Sequence, residues 1–223
     1  MNYKITALKL QKRNRQRVNV YLDGEYAFGL ARIVAAWLSV GQGIDDEKIA
    51  QLKHEDEREV AYQRAIKFLN YRPRTLLEIR QNLQKHDIPE EIIVYVLDRL
   101  QQAGLINDQH FAENWVENRS ELRPRSRRAL SFELKQRGID PQVIEQTLEE
   151  IDDEELAYQA ALKQARKYKN LEWIDFRRKM YGFLARRGFN YEVSSQATAR
   201  VWARDHSRQQ TDDILSNNEE VNS

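Results

Sequence analysis

Asn70-Tyr71-Arg72-Pro73-Arg74-Thr75 decides how this chain folds, because it recurs. Fifty-one residues later the chain reads Leu122-Arg123-Pro124-Arg125-Ser126. Each copy holds Arg-Pro-Arg followed by a small hydroxyl residue. Proline cannot donate a backbone hydrogen bond and disfavours helix in the residue before it, so each copy stops what precedes. Thr75 and Ser126 can then cap a new helix, Thr75 with Glu78 in a capping box and Ser126, with Ala129 at that place, as a simple cap. Leu76, Ile79 and Leu83 share one helical face, and Leu130 and Leu134 share its counterpart. A second stop follows at His86-Asp87-Ile88-Pro89 and at Arg137-Gly138-Ile139-Asp140-Pro141. Beyond it, Ile92, Ile93, Val96, Leu97 and Leu100 fall on one face, matched by Val143, Ile144 and Leu148. With the helix before each Arg-Pro-Arg, each module has three helices, enough to enclose a small core. A weaker third copy, Arg187-Gly188-Phe189, lies fifty residues after Arg137-Gly138-Ile139. Such a period marks repeated helical modules.

Working outward, the expected organisation is mainly α: three tandem three-helix modules behind a small N-terminal β-sheet. The modules are expected over 58–108, 109–153 and 154–205. Residues 1–57 hold the sheet and its following helices. Val18–Leu22 and Glu25–Phe28 flank Asp23-Gly24, a hairpin signal because a tight turn there needs positive φ. Leu30 to Ser39 reads as helical, ended by Gly41-Gln42-Gly43, and Asp45 or Asp46 caps the next helix. The four tryptophans, Trp37, Trp115, Trp173 and Trp202, read as core or module contacts, with Trp173 the best alternative as a base-stacking platform. Residues 206–223 are polar and acidic and read as a disordered tail.

Composition narrows the function. Of 223 residues, 36 are Lys or Arg and 35 Asp or Glu, so a formal charge of +1 says little about partners. Its distribution says more. Arg119 to Arg137 holds seven bases against two acids, and Glu145 to Glu155 holds seven acids and no base. Lys9, Lys12, Arg13, Arg15 and Arg17 crowd one connection. Arg125, Arg127 and Arg128 crowd a helix N-terminus, where positive charge is disfavoured. A partner bearing phosphates or carboxylates would suit them; a solvated face, or pairing between repeats, is the alternative. With no cysteine there is neither disulfide nor thiolate metal site. The histidines show no ligand spacing, and no phosphate loop or nucleophile motif is present. No cofactor, metal or catalytic residue is expected. Ile33 to Val40 is too short to span a bilayer and no signal peptide is visible, so a cytoplasmic soluble protein is the simplest reading; a monomer is the separate expectation.

Ala65 to Thr75, followed by Glu78 and Leu83, resembles the RecX family of recombination regulators. So do Val96-Leu97-Asp98-Arg99-Leu100, Gly104 to Asp108 with Phe111-Ala112, and the second block from Arg123 through Glu133-Leu134 to Arg137-Gly138-Ile139. The resemblance runs from about Ala61 to Ile144, with further support at Gly188-Phe189. It implies tandem three-helix modules that bind the RecA recombinase, lodge along the groove of its filament on single-stranded DNA, and restrain strand exchange, ATP hydrolysis and co-protease activity. It also implies direct DNA binding by some members, and no catalytic residues. The third module departs from the pattern, with Leu171-Glu172-Trp173 where Arg-Pro-Arg would stand. Candidate residues for contact with partner or nucleic acid are Arg72, Arg74, Arg123, Arg125, Arg127, Arg128, Lys135, Arg177, Arg178, Lys179, Arg186 and Arg187. A direct DNA-binding repeat protein with no recombinase partner is the alternative, and near-zero net charge argues against that as the sole activity.

Overall fold

The computed structural model describes residues 2–205, and beyond them only the helical course of the last element to Glu220. The acidic tail expected over 206–223 lies outside the described residues. The chain divides into two compact units, Met1–Asn107 and Asp108–Ser223.

The first unit opens with strands β1 (Asn2–Leu10), β2 (Arg17–Leu22), β3 (Glu25–Ala31) and β4 (Gly43–Asp45), antiparallel in the order β3-β2-β1-β4. Alternation in β2 puts Val18, Val20 and Leu22 on the buried face. Asp23 and Gly24 turn the hairpin at φ 48° and 94°, as their pairing predicts. The tip is latched to β1, since Lys4 N–H donates to Asp23 Oδ1 and Gly24 N–H to Thr6 Oγ1, at 3.0 and 2.9 Å.

The helix expected over Leu30–Ser39 does not form. β3 continues to Ala31 because Leu30 pairs with Val18 and is fully buried, in step with Phe28 against Val20. Only a 3-10 turn, Val34–Trp37, remains. Trp37, expected as a core residue or a module contact, is 88% exposed.

Helix α1 (Asp46–Leu69) is capped by Asp45, whose carboxylate accepts from Lys48 N–H. Its first half packs Leu52 into the core of the sheet. Its second half packs Ala61 and Ala65 against Ile79 and Leu83 of α2 (Leu76–Gln84) and Ile93, Val96 and Leu100 of α3 (Glu90–Gln102). One helix therefore serves two cores. Asp56 fixes the sheet to it: one oxygen accepts from Ala31 N–H at 2.5 Å, the other from Arg17 Nη2 at 2.8 Å. Asp56→Asn keeps the shape and removes the charge. It is expected to cost about 1–2 kcal/mol of stability, read from urea unfolding, and a cost near zero would mean the sheet is held by apolar packing alone.

The second unit comprises α4 (Asp108–Leu122), α5 (Arg127–Gln136), α6 (Pro141–Thr147), α7 (Asp153–Ala165), α8 (Trp173–Ala185) and α9 (Tyr191–Glu220). Leu130, Leu134, Ile144 and Leu148 centre one core, and Met180, Leu184 and Val201 another; Ile151 touches both. Trp173 stacks on Phe176 and meets Trp202 at 5.2 Å, so it is part of that packing.

All three modules end their second helix the same way. Asp87, Gly138 and Gly188 adopt φ of 57°, 77° and 91° at equivalent repeat positions. The following residues, Ile88, Ile139 and Phe189, donate their N–H groups back to Leu83, Leu134 and Leu184. This is the left-handed helix stop that glycine favours and aspartate tolerates.

Candidate partner interface

The repeated Arg-Pro-Arg segments serve first as helix starts. Thr75 Oγ1 accepts from Glu78 N–H and Ser126 Oγ from Ala129 N–H, each at 3.2 Å, and both hydroxyl residues are buried. In the first copy the arginines pair within their own module, Arg72 while still exposed. Arg72 pairs with Glu78 at 3.0 Å. Arg74 lies 3.9 Å over the Phe68 ring and 3.9 Å from the same carboxylate.

In the second copy the hub is Glu133, 13% exposed. Its Oε2 accepts from Trp115 Nε1 at 2.8 Å and Arg119 Nε at 3.0 Å. Arg125 Nη1 lies 2.6 Å from Oε1, as an ion pair without hydrogen-bond alignment. Arg119 and Arg137 stack on Trp115 at 4.4 and 3.9 Å. In the sequence Glu133 stands out only as part of the Glu133-Leu134 string that carries the family resemblance; the charge pattern, dominated by the surrounding bases, gives it no role. A signal was present: an acid on the polar edge of a helix whose start is crowded with arginine.

Arg187 closes the junction of the second and third modules. Its Nη1 donates to Pro124 O at 3.0 Å, and its own carbonyl accepts from Ser126 N–H at 3.1 Å. Its guanidinium lies over Phe183, 4.4 Å from the ring centre. Burial pulls its pKa below the ordinary arginine value, and the charges of Arg125 and Arg123 add to that. Three predicted site arginines are thus brought together here, two of them as parts of the packing, while Arg123 is exposed.

A different subset faces solvent uncommitted. Arg127, Arg128 and Lys135 are exposed on α5 and, among the described residues, form no ion pair. They line an open groove of about 510 Å³ with Ser131, Ile144 and Leu148, and with two acids, Glu145 and Asp153, on its other side. Asp153 answers the electrostatic problem at this helix start, since its carboxylate accepts Arg127 N–H at 2.6 Å. On α8, Arg177, Arg178 and Lys179 are exposed, as is Arg186 beyond it. Arg178 pairs with Asp175 at 2.8 Å. Arg177 is held above the ordinary arginine pKa by hydrogen bonding and charge from Tyr181, then from Tyr191. Lys179 sits 5.9 Å over Tyr168.

Among the described residues no cluster of three acids or histidines could hold a metal, and no helix is long and apolar enough to cross a membrane.

Comparison with known proteins agrees with this architecture. Residues 3–45 match the regulatory protein RecX N-terminal domain, and 61–100, 107–148 and 152–198 match the first, second and third RecX three-helix domains. A regulatory protein RecX from Bacillus velezensis is 32% identical over 200 residues, covering 86% of this chain and 75% of that one. Another, from Clostridium botulinum, is 30% identical, covering 85% of this chain and 92% of its own. A crystal structure of regulatory protein RecX superposes with a TM-score of 0.71 at 30% identity, covering 88% of this chain and 99% of that one. The RecX of Lactobacillus salivarius gives a TM-score of 0.57 at 25% identity, covering 66% of this chain and 97% of that one. Sheet and helical modules alike are matched in chain order, and the chain belongs to the RecX family.

Proposed function

We propose that this chain regulates the RecA recombinase by binding its filament on single-stranded DNA, restraining strand exchange, ATP hydrolysis and co-protease activity without chemistry of its own. The family relationship supports the regulatory role. The observation that carries the contact surface is the uncommitted set Arg127, Arg128 and Lys135. Among the described residues these charges have no internal ion-pair partner, whereas Arg72, Arg74 and Arg125 do. Arg177, Lys179 and Arg186 offer a second exposed set. Exposed charge of this kind steers encounter and sets register more than it supplies raw affinity.

DNA-dependent ATP hydrolysis by the cognate recombinase, with this protein titrated in, tests the reading. Inhibition is expected well below the concentration that coats the bare strand. The triple substitution Arg127→Ala, Arg128→Ala, Lys135→Ala removes only exposed side chains and should leave the melting temperature in place. It is expected to raise the half-inhibiting concentration about tenfold, some 1.4 kcal/mol. Inhibition appearing only once the strand is saturated would replace the filament reading with competition for DNA. A folded triple variant as potent as the parent would remove the α5 surface.

A further inference from the structure

We propose that the cleft between the N-terminal sheet and α1–α2 of the first unit is a binding site for single-stranded DNA. The cleft measures about 820 Å³. One wall is the β1–β2 connection and the end of β3, through Asn14, Gln16, Arg17 and Arg32; the other is α1 and the turn after it, through Arg64, Lys67 and Tyr71.

Its charge is unbalanced by pairing. Glu59, the acid on the wall, is already bound to Arg99 at 2.8 Å and accepts from Gln63. Arg17 is matched by Asp56 behind it. Arg32, Arg64 and Lys67 have no ion pair among the described residues. Arg64 is held half-buried in the wall, and its Nε is buried with no hydrogen-bond partner. A permanently charged group placed so is costly unless a counter-charge arrives, and buried orphan donors ask for an explanation. Lys12, Arg13 and Arg15 are exposed on the same connection, adding to the positive field at the mouth.

The aromatic component selects the occupant. Tyr71 is 84% exposed at the edge of the cleft and, among the described residues, touches no ring. Asn14, Gln16 and Asn82 supply neutral donors and acceptors beside it, and the His86 ring also lines the cleft. A cationic groove that tracks a backbone, with an exposed ring for a base and amides for its edges, is how single strands are held without sequence preference. An acidic protein surface would use the cations and leave Tyr71 idle. A duplex would present no free base face to it. The site is separate from the α5 surface and does not depend on the recombinase reading.

The test uses the full chain, bare fluorescein-labelled oligothymidylate and no recombinase, followed by anisotropy across a salt series. Arg32→Ala, Arg64→Ala, Lys67→Ala together are expected to weaken binding at least tenfold. They should also flatten the slope of log affinity against log salt by about 2, at about 0.7 for each phosphate no longer neutralised. Tyr71→Ala, which is too exposed to affect folding, is expected to weaken binding on the order of tenfold with the slope unchanged. The α5 triple variant should bind as the parent does. Failure of the parent to bind, or parent-like affinity and slope in both cleft variants, overturns the proposal. So does polyglutamate binding as tightly as the DNA, with dependence on the three cations and none on Tyr71; that result assigns the cleft to acidic protein. ATPase inhibition is untouched by any of these outcomes, so the two readings fail separately.

Discussion

Glu133→Ala is expected to destabilise the second unit by about 3 kcal/mol, because it removes one carboxylate that answers two guanidiniums and an indole N–H. For a unit of this size that is a fall of roughly 10 °C in the thermal midpoint. Calorimetry of the full chain checks it. Glu133→Gln keeps the volume and an acceptor for Trp115 but removes the charge, and should fall about halfway. Glu145→Ala, an exposed acid on α6, should stay within about 0.5 kcal/mol of the parent. A Glu133→Ala shift of under about 2 °C would show that the Arg119–Glu133–Arg125 set only decorates the surface. The same geometry separates two arginines that stand close in sequence. Arg125→Ala is expected to show itself in the melting curve, and Arg127→Ala in binding.

What the sequence made legible is what local chemistry dictates. The Arg-Pro-Arg helix starts, the hydroxyl caps, the Asp23-Gly24 hairpin and the repeated apolar faces each depend on residues a few positions apart. Local rules reach that far. The misread segment, Leu30–Ser39, shows where they end. Its apolar run suits helix or strand alike, and Val18 and Val20 decided for strand by pairing with Leu30 and Phe28. The arginines failed in a similar way. Sequence gives the density of positive charge but not which guanidiniums are spent internally. That depends on Glu78, on Glu133 and on Pro124, the last of these 63 residues from its partner Arg187. The cleft of the first unit was half visible, as the base-rich β1–β2 connection. Its other wall could not be seen, because Arg64, Lys67 and Tyr71 reach it only once Asp56 ties α1 to the sheet.

The junction of the second and third modules gives the other large effect, at Gly188. Its φ of +91° is the left-handed conformation that side chains resist. The space beside it is also taken: a Cβ there would lie 2.5 Å from Ser126 Oγ and 2.8 Å from Ala129 Cβ. Gly188→Ala therefore combines backbone strain, an overpacked contact and displacement of the hydroxyl that caps α5. The expected cost is about 3–4 kcal/mol. Gly104→Ala is the internal control, since Gly104 has φ +66° with nothing within 4 Å of its Cβ position. It bears strain alone, about 1 kcal/mol. Amide hydrogen exchange localises the difference. In Gly188→Ala the N–H groups of Ser126 and Ala129 should become less protected, because their acceptors are Arg187 O and Ser126 Oγ. Those of Leu130 and Leu134, deeper in α5, should keep more of theirs. Equal costs at the two glycines would mean the modules slide apart freely at this point. The larger cost at Gly188 would instead mark the Arg187–Ser126 contact as a fixed joint, so that the cations of α5 are carried at a set angle to those of α8.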